Sequence, residues 1–211
     1  MGRVLIEDRT IGTHTNTTTY AYNLDGSLAT LTYPNTGKVI TYTLNSSGGY
    51  TAGRAVSAKD VAGSFNCVTS VTYAPQGALA SLSNGSSIFE AFSYNSRLQP
   101  LQVFYGTNAP PSLTGSTCPG TVGNIMHRVY NFGLGSNDNG NVLSIANCRD
   151  TNRTQNFDYD ALNRIADAYT SGMNWGETYT IDPWSNLTNI AQYSNKTGHE
   201  NLNCAAANNK N

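Results

Sequence analysis

Four carboxylates stand where chemistry could be sought: Glu90, Glu177, Asp160 and Asp182. Two of them facing each other across a cleft would hydrolyse a glycosidic bond, one as acid and the other as base or nucleophile. Asp160 and Asp182, however, occupy equivalent points of a recurring phrase and are followed by turn-forming residues. A side chain that closes a turn is therefore the better reading of both. Glu90 and Glu177 open predicted strands and are expected to be solvated. A serine hydrolase would need a nucleophile elbow, and Gly133-Leu-Gly135-Ser136-Asn137 has the wrong spacing for one. No catalytic residue is nominated, and the chain is expected not to be an enzyme.

The remaining chemistry-bearing residues are scattered. His14, His127 and His199 lie far from one another and from the cysteines, so each reads as an ordinary surface or strand histidine and no metal is expected. Ser136-Asn137-Asp138-Asn139-Gly140-Asn141 is dense in oxygen ligands. Aligning Gly140 with the invariant glycine of a calcium loop puts Gly135 and Ala146 where ligands belong, so an Asn-Gly turn is expected there, with Gly140 a turn residue. Cys67, Cys118, Cys148 and Cys204 include no C-x-x-C pair. Cys118, in a Pro/Gly-rich loop, and Cys148, just after a predicted strand, are the favoured disulfide partners, with four free thiols the standing alternative. Trp175 and Trp184, in a chain rich in amides and hydroxyls, would be the first candidates to stack on sugars. Against that, Trp184 is expected to pack inside its own unit and Trp175 to cover a turn.

The elements that carry these residues are written by composition. Charged residues are only 12% of the chain, about half the usual share. The many Thr and Tyr favour strands, and Gly, Asn and Asp favour the turns between them. The net charge of −1 offers no excess of cations for phosphates, so nucleic acid is a poor partner. No apolar run is long enough to cross a membrane as a helix, and the charges of Arg3, Glu7, Asp8 and Arg9 stand where a signal peptide needs its apolar core. If exported, the chain is expected to be a piece of a longer one.

One phrase recurs. It reads Tyr20-Ala-Tyr22-Asn23-Leu-Asp25-Gly26-Ser-Leu28, with a second turn signal at Pro34 to Gly37 and a strand through Ile40, Tyr42 and Leu44. It returns at Val71-Thr-Tyr73-Ala-Pro-Gln-Gly77, at Phe92-Ser-Tyr94-Asn95, at Phe157-Asp-Tyr159-Asp160-Ala-Leu-Asn163-Arg164-Ile165, and at Tyr179-Thr-Ile181-Asp182-Pro183-Trp184-Ser-Asn186-Leu187. Tyr22 to Tyr42 is 20 positions, Tyr73 to Tyr94 is 21 and Phe157 to Tyr179 is 22. A unit of this period must be one supersecondary element repeated. An aromatic-led strand, an Asn or Asp closing the turn, a residue tolerating positive φ and a Leu- or Ile-led return strand make a hairpin, which becomes stable by stacking on its neighbours. The tyrosines are expected to pack. Asp25, Gly26, Asp160, Asn163 and Asp182 are expected to turn the chain.

These phrases resemble the RHS or YD-repeat family, whose pattern is roughly Tyr-x-Tyr-Asp-x-x-Gly-Arg-Leu. Tyr159-Asp160 to Arg164-Ile165 matches it with Asn163 for Gly, and Ile181-Asp182-Pro183-Trp184-Ser185-Asn186-Leu187 looks like its Tyr-Asp-Pro-Trp-Gly-Asn-Leu variant. The resemblance covers most of residues 19 to 190. It implies an all-β fold of consecutive antiparallel hairpins in a curved, spiralling sheet, part of a shell that in bacterial toxins encloses a toxic segment. The implied role is a secreted or cell-surface structural module, with carbohydrate binding or adhesion as the alternative. Its implied partners are the rest of a longer chain, or further copies joined through sheet edges. The organisation expected is repeats over 1–106, a Pro/Gly-rich insertion loop over 107–124, repeats over 125–195, and a tail or linker over 196–211. No cofactor is expected. Six Asn-x-Ser/Thr sequons, at Asn16, Asn45, Asn84, Asn152, Asn186 and Asn195, are expected on exposed turns.

Overall fold

The structure is a computed structural model that describes residues 2–34, 36–46, 49–50, 53–115, 117–119, 124–133, 135 and 139–204. Among these residues the chain is all-β, with one 3-10 turn at Thr151–Arg153. Sixteen strands follow one another in a single open antiparallel sheet in chain order, and β5 (Asn45–Ser46) with β6 (Gly49–Tyr50) forms a separate two-stranded ribbon. Consecutive antiparallel pairing of this kind needs no crossover.

Two compact units divide the chain, one built mainly from residues 1–91 and the other from 92–106 and 110–211. In the first, β1 (Ile6–Ile11), β2 (His14–Tyr22), β3 (Leu28–Thr32), β4 (Val39–Thr43), β7 (Ser57–Asp60), β8 (Phe65–Tyr73) and β9 (Leu79–Asn84) pair in sequence. β10 (Phe89–Tyr94) pairs with β9 and runs across the boundary. The alternation of Thr with Tyr or Asn in β2 gives alternating exposed and half-buried positions, as the period of two requires. Ile40, Val56, Asp60 and Ala91 are the buried residues of this unit among those described.

The second unit continues with β11 (Pro100–Gly106), β12 (Asn124–Asn131), β13 (Ser144–Asn147), β14 (Gln155–Tyr159), β15 (Ile165–Thr170), β16 (Gly176–Ile181), β17 (Leu187–Gln192) and β18 (Leu202–Asn203). Its deepest core lies on one face of β11 and β12, where Gln102, Phe104, His127 and Val129 are fully buried. β11 ends at Gly106 and β12 begins at Asn124. The disulfide joins Cys118 to Cys148, and among the described residues Cys67 and Cys204 are free. Part of the segment read as a tail does form structure. Leu202 and Asn203 pair with β17, and Cys204 donates its amide to the Thr188 carbonyl at 2.9 Å. The periodicity there is too short to see in sequence, since two residues cannot display alternation.

Candidate functional site

The recurring phrase folds into one device. At Asn23, Ala74, Asn84, Asn95, Asp160 and Asp182 the backbone N–H donates to the carbonyl four residues on, and the N–H three residues on donates back, all at 2.7 to 3.2 Å. The fourth residue of each turn has positive φ, from 59° at Ser87 to 90° at Gly77. This is the three-residue hairpin loop with a type I turn and a bulge. Register shifts accompany it at Tyr22, Tyr73, Tyr159 and Ile181. Glycine fills the left-handed position at Gly26 and Gly77, while Leu98, Asn163 and Ser185 accept it elsewhere.

The side chain that opens the turn holds it. Oδ1 of Asn84, Asn95, Asp160 and Asp182 each accepts two backbone amides, from the residues two and four positions on. In the first turn Asp25 replaces that acceptor and takes both the amide and the hydroxyl of Ser27. These bonds favour the ionised form. The amide of Arg164, reinforced by its guanidinium and the Leu162 amide, holds Asp160 below the usual carboxylate range. The Asn186 side chain and amide do the same to Asp182, and the Ser27 hydroxyl and amide to Asp25.

Three of these turns are also tied by a tyrosine to the chain preceding them. The hydroxyls of Tyr22, Tyr73 and Tyr159 donate to the carbonyls of Val4, Ala55 and Val142 at 3.1, 2.6 and 2.8 Å, reaching back 17 or 18 residues. Arg3 and Arg54 lie over the Tyr22 and Tyr73 rings at 5.5 and 5.4 Å. Both guanidinium groups press on the turn glycine, where a Cβ on Gly26 or Gly77 would collide with them. In the second unit Asn139 and Asn141 donate to Asn163 Oδ1 at 2.7 and 3.2 Å. Arg164 forks, with Nε on Asp160 Oδ2 at 2.7 Å and Nη1 on the carbonyl of Asp182 at 2.9 Å. It thus joins its own turn to the next one. Arg3 and Arg54 escaped sequence reading although each stands 19 residues before its tyrosine, a spacing that was there to be found.

The other nominated residues fall as follows. Glu177 is buried rather than solvated, accepting the Tyr179 hydroxyl at 2.7 Å and the Glu200 amide at 2.8 Å. Burial, followed by the bond to Glu177, pushes the Tyr179 phenol well above its ordinary range. Trp184 is 75% exposed at the tip of its turn instead of packed inside its unit. Trp175 is half-buried, with its backbone bridged to Gly198 beside the turn that joins β15 to β16. Since Trp184 tips the turn between β16 and β17, the two indoles stand at opposite ends of the strands and do not form one site. Tyr42 is half-buried on β4, and Tyr94 is half-buried at the end of β10. Gly140 has φ of 92°, while residues 136–138 lie outside the described ones. No group of three metal-ligating side chains occurs among the described residues.

His127 is the main surprise. It is fully buried, stacked edge-on to Phe104 at 5.5 Å, with Nε2 2.9 Å from Gln102 Oε1. Gln102 Nε2 donates to the Gly115 carbonyl at 2.9 Å. A carbonyl can only accept, so the amide's oxygen faces the imidazole and the neutral ring must carry its proton on Nε2. Nδ1 is left buried without a partner among the described residues. Burial holds this imidazole below its ordinary range.

A tandem array of antiparallel hairpins with side-chain-locked turns is the class of protein that this fold and these turns define. Among solved structures the chain is similar to one titled TcdB2-TccC3-Cdc42, with a TM-score of 0.62 and 18% identity over 90% of this chain and 10% of that one. It matches with the same values a Photorhabdus luminescens Tc holotoxin pore carrying the TccC3 mutation D651A. A TcdB2-TccC3 structure without its hypervariable C-terminal region matches at a TM-score of 0.60 and 18% identity, over 89% of this chain and 9% of that one. The likeness is one of fold, and the chain spans about a tenth of the length of those chains. No family model and no curated protein matches.

Proposed function

We propose that the chain is a non-catalytic segment of wall in a secreted RHS-type shell. The observation that carries this reading is the tie between hairpins: Tyr22, Tyr73 and Tyr159 each bond a carbonyl 17 or 18 residues back. A repeat whose recurring chemistry faces its own neighbour builds length, because each unit's stability depends on the next. The carboxylates weighed as catalysts support it too. Asp160 and Asp182 hold two amides and a side chain each, and Glu177 is engaged with Tyr179 and Glu200. The shared fold with toxin-complex chains and the Cys118–Cys148 bridge, which suits an oxidising compartment, point the same way.

Electron microscopy of the full-length native assembly is the test. A hollow particle is expected, and a filament or a small solid particle would overturn the shell. Exposure of Trp184 favours a second reading, in which the turn tip contacts a glycan. Retention on an immobilised polysaccharide, abolished by Trp184→Ala with an unchanged melting curve, would establish that alternative. Equal elution of both proteins would remove it.

A further inference from the structure

A single sheet layer cannot by itself take a face wholly out of water. Gln102, Phe104, His127 and Val129 nevertheless reach zero or near-zero exposure, so a second layer must cover them. Among the described residues, Gly115 bonds that face, presenting its carbonyl to Gln102. Three residues further on the chain is fixed by the bond from Cys118 to Cys148, whose own amide donates to the His127 carbonyl at 3.0 Å. The disulfide therefore links the chain that carries the Gly115 contact to a residue bonded to β12.

We propose that Cys118–Cys148 is a thiol-operated latch: closed, it holds the Gly115 backbone on Gln102 over β11 and β12, and opened, it releases that contact and exposes the Gln102–His127 pair to water. The reductant is a small thiol. Cys118 is half-buried and Cys148 buried, so attack falls on the Cys118 sulfur. The incoming thiolate forms a mixed disulfide with Cys118 and displaces the Cys148 thiolate, which takes up a proton. A second thiol then resolves the mixed disulfide, giving Cys118 thiol and the oxidised small disulfide. Two electrons pass from the two small thiols to the protein bridge.

The polar groups underneath offset part of the cost of exposing Phe104 and Val129. Gln102 and His127 are polar groups removed from water, and His127 Nδ1 lacks a partner among the described residues. Buried unpartnered polar atoms regain water when uncovered, so the closed face is held against a hydration gain. The ionisable groups on the surrounding elements are Glu90 and Tyr94 on β10, Tyr105 on β11, Arg128 and Tyr130 on β12, and Arg149 and Asp150 after β13. Arg149 donates to the Ile125 carbonyl. The latch does not depend on the shell reading, because both of its states belong to this chain alone.

The test compares the oxidised chain, the dithiothreitol-reduced chain and the Cys118→Ser/Cys148→Ser double variant by NMR. The His127 imidazole signal is followed through a pH titration, and amide exchange is followed along the strands. In the oxidised chain His127 should titrate below its ordinary range. Reduction, or the double variant without reductant, should return it to that range and speed exchange on β11 and β12 by about tenfold or more. Exchange on β15, β16 and β17 should hold. Unchanged titration and exchange on reduction would overturn the latch. So would loss of protection in β15 to β17 as well, because the bond would then be a staple of the whole unit.

Discussion

At the scale of single residues, the left-handed turn position is the sharpest constraint. Gly26 has φ of 87° and carries the Arg3 guanidinium against its open face. A β-branched residue there meets both a disfavoured backbone and a side chain, so Gly26→Val should lose about 1–3 kcal/mol. In a chain of this length that lowers Tm by roughly 2–4 °C per kcal/mol. An unaltered melting curve would contradict the turn. Tyr159→Phe isolates the tie between hairpins, since it removes only the hydroxyl bonded to Val142 at 2.8 Å. It should lose about 1 kcal/mol by thermal melting, and no loss would mean that the carbonyl is satisfied by water instead. The turn aspartates set the acid response. Their folded pKa values lie below the ordinary one, so their stabilisation is complete above about pH 4 and is lost as pH falls through the lower folded values. Asn84 and Asn95 make the same turn with an amide. Asp160→Asn/Asp182→Asn should therefore keep the fold at pH 7 and show a flatter Tm between pH 5 and pH 2 than the parent. Equal slopes would assign the acid sensitivity elsewhere.

At the scale of elements, the hairpins were legible because their signals are local. Tyr-x-Tyr, the Asn or Asp, and the positive-φ residue lie within a few positions of one another, and the strands between them alternate. What sequence concealed depends on partners far along the chain. Asn23, not Asp25, occupies the place of Asp160, and only the bond pattern separates them, because both types suit a turn. The turn at Asn84 has neither a leading tyrosine nor a Gly at its positive-φ position, so only its Asn84-Gly85 pair and sequon marked it as a turn and nothing marked it as a copy of the repeat. His127 read as an ordinary histidine because its burial rests on Gln102 and Phe104 of β11 across the sheet, contacts that periodicity does not show, even though the Cys118–Cys148 link itself was legible. Arg164 read as a consensus letter, yet it bridges two turns. That bridge needs a planar fork with two separated donors, which lysine lacks. Arg164→Lys and Arg164→Ala should consequently both lower Tm, by a few degrees each. Full rescue by lysine would reduce the contact to simple charge.

At the scale of the whole molecule, the sheet ends where pairing ends. β1 lies at one edge, its six residues all exposed, with Ile6 and Ile11 each 60% accessible. Its partner-free backbone side is a template for another strand, and apolar side chains there make such addition favourable. The chain spans about a tenth of the toxin-complex chains that share its fold. In a wall segment this edge would meet the preceding repeat of the same polypeptide, whereas the isolated chain has only other copies to meet. Sedimentation velocity at rising concentration should accordingly show the isolated chain associating. Ile6→Lys, which puts a charge on the exposed edge while leaving the β1–β2 pairing intact, should shift the population towards monomer with an unchanged melting curve. Association untouched by Ile6→Lys would move the contact away from β1. A parent that stays monomeric at every concentration would mean that the edge is already protected, and that the wall must be extended through the other end of the sheet.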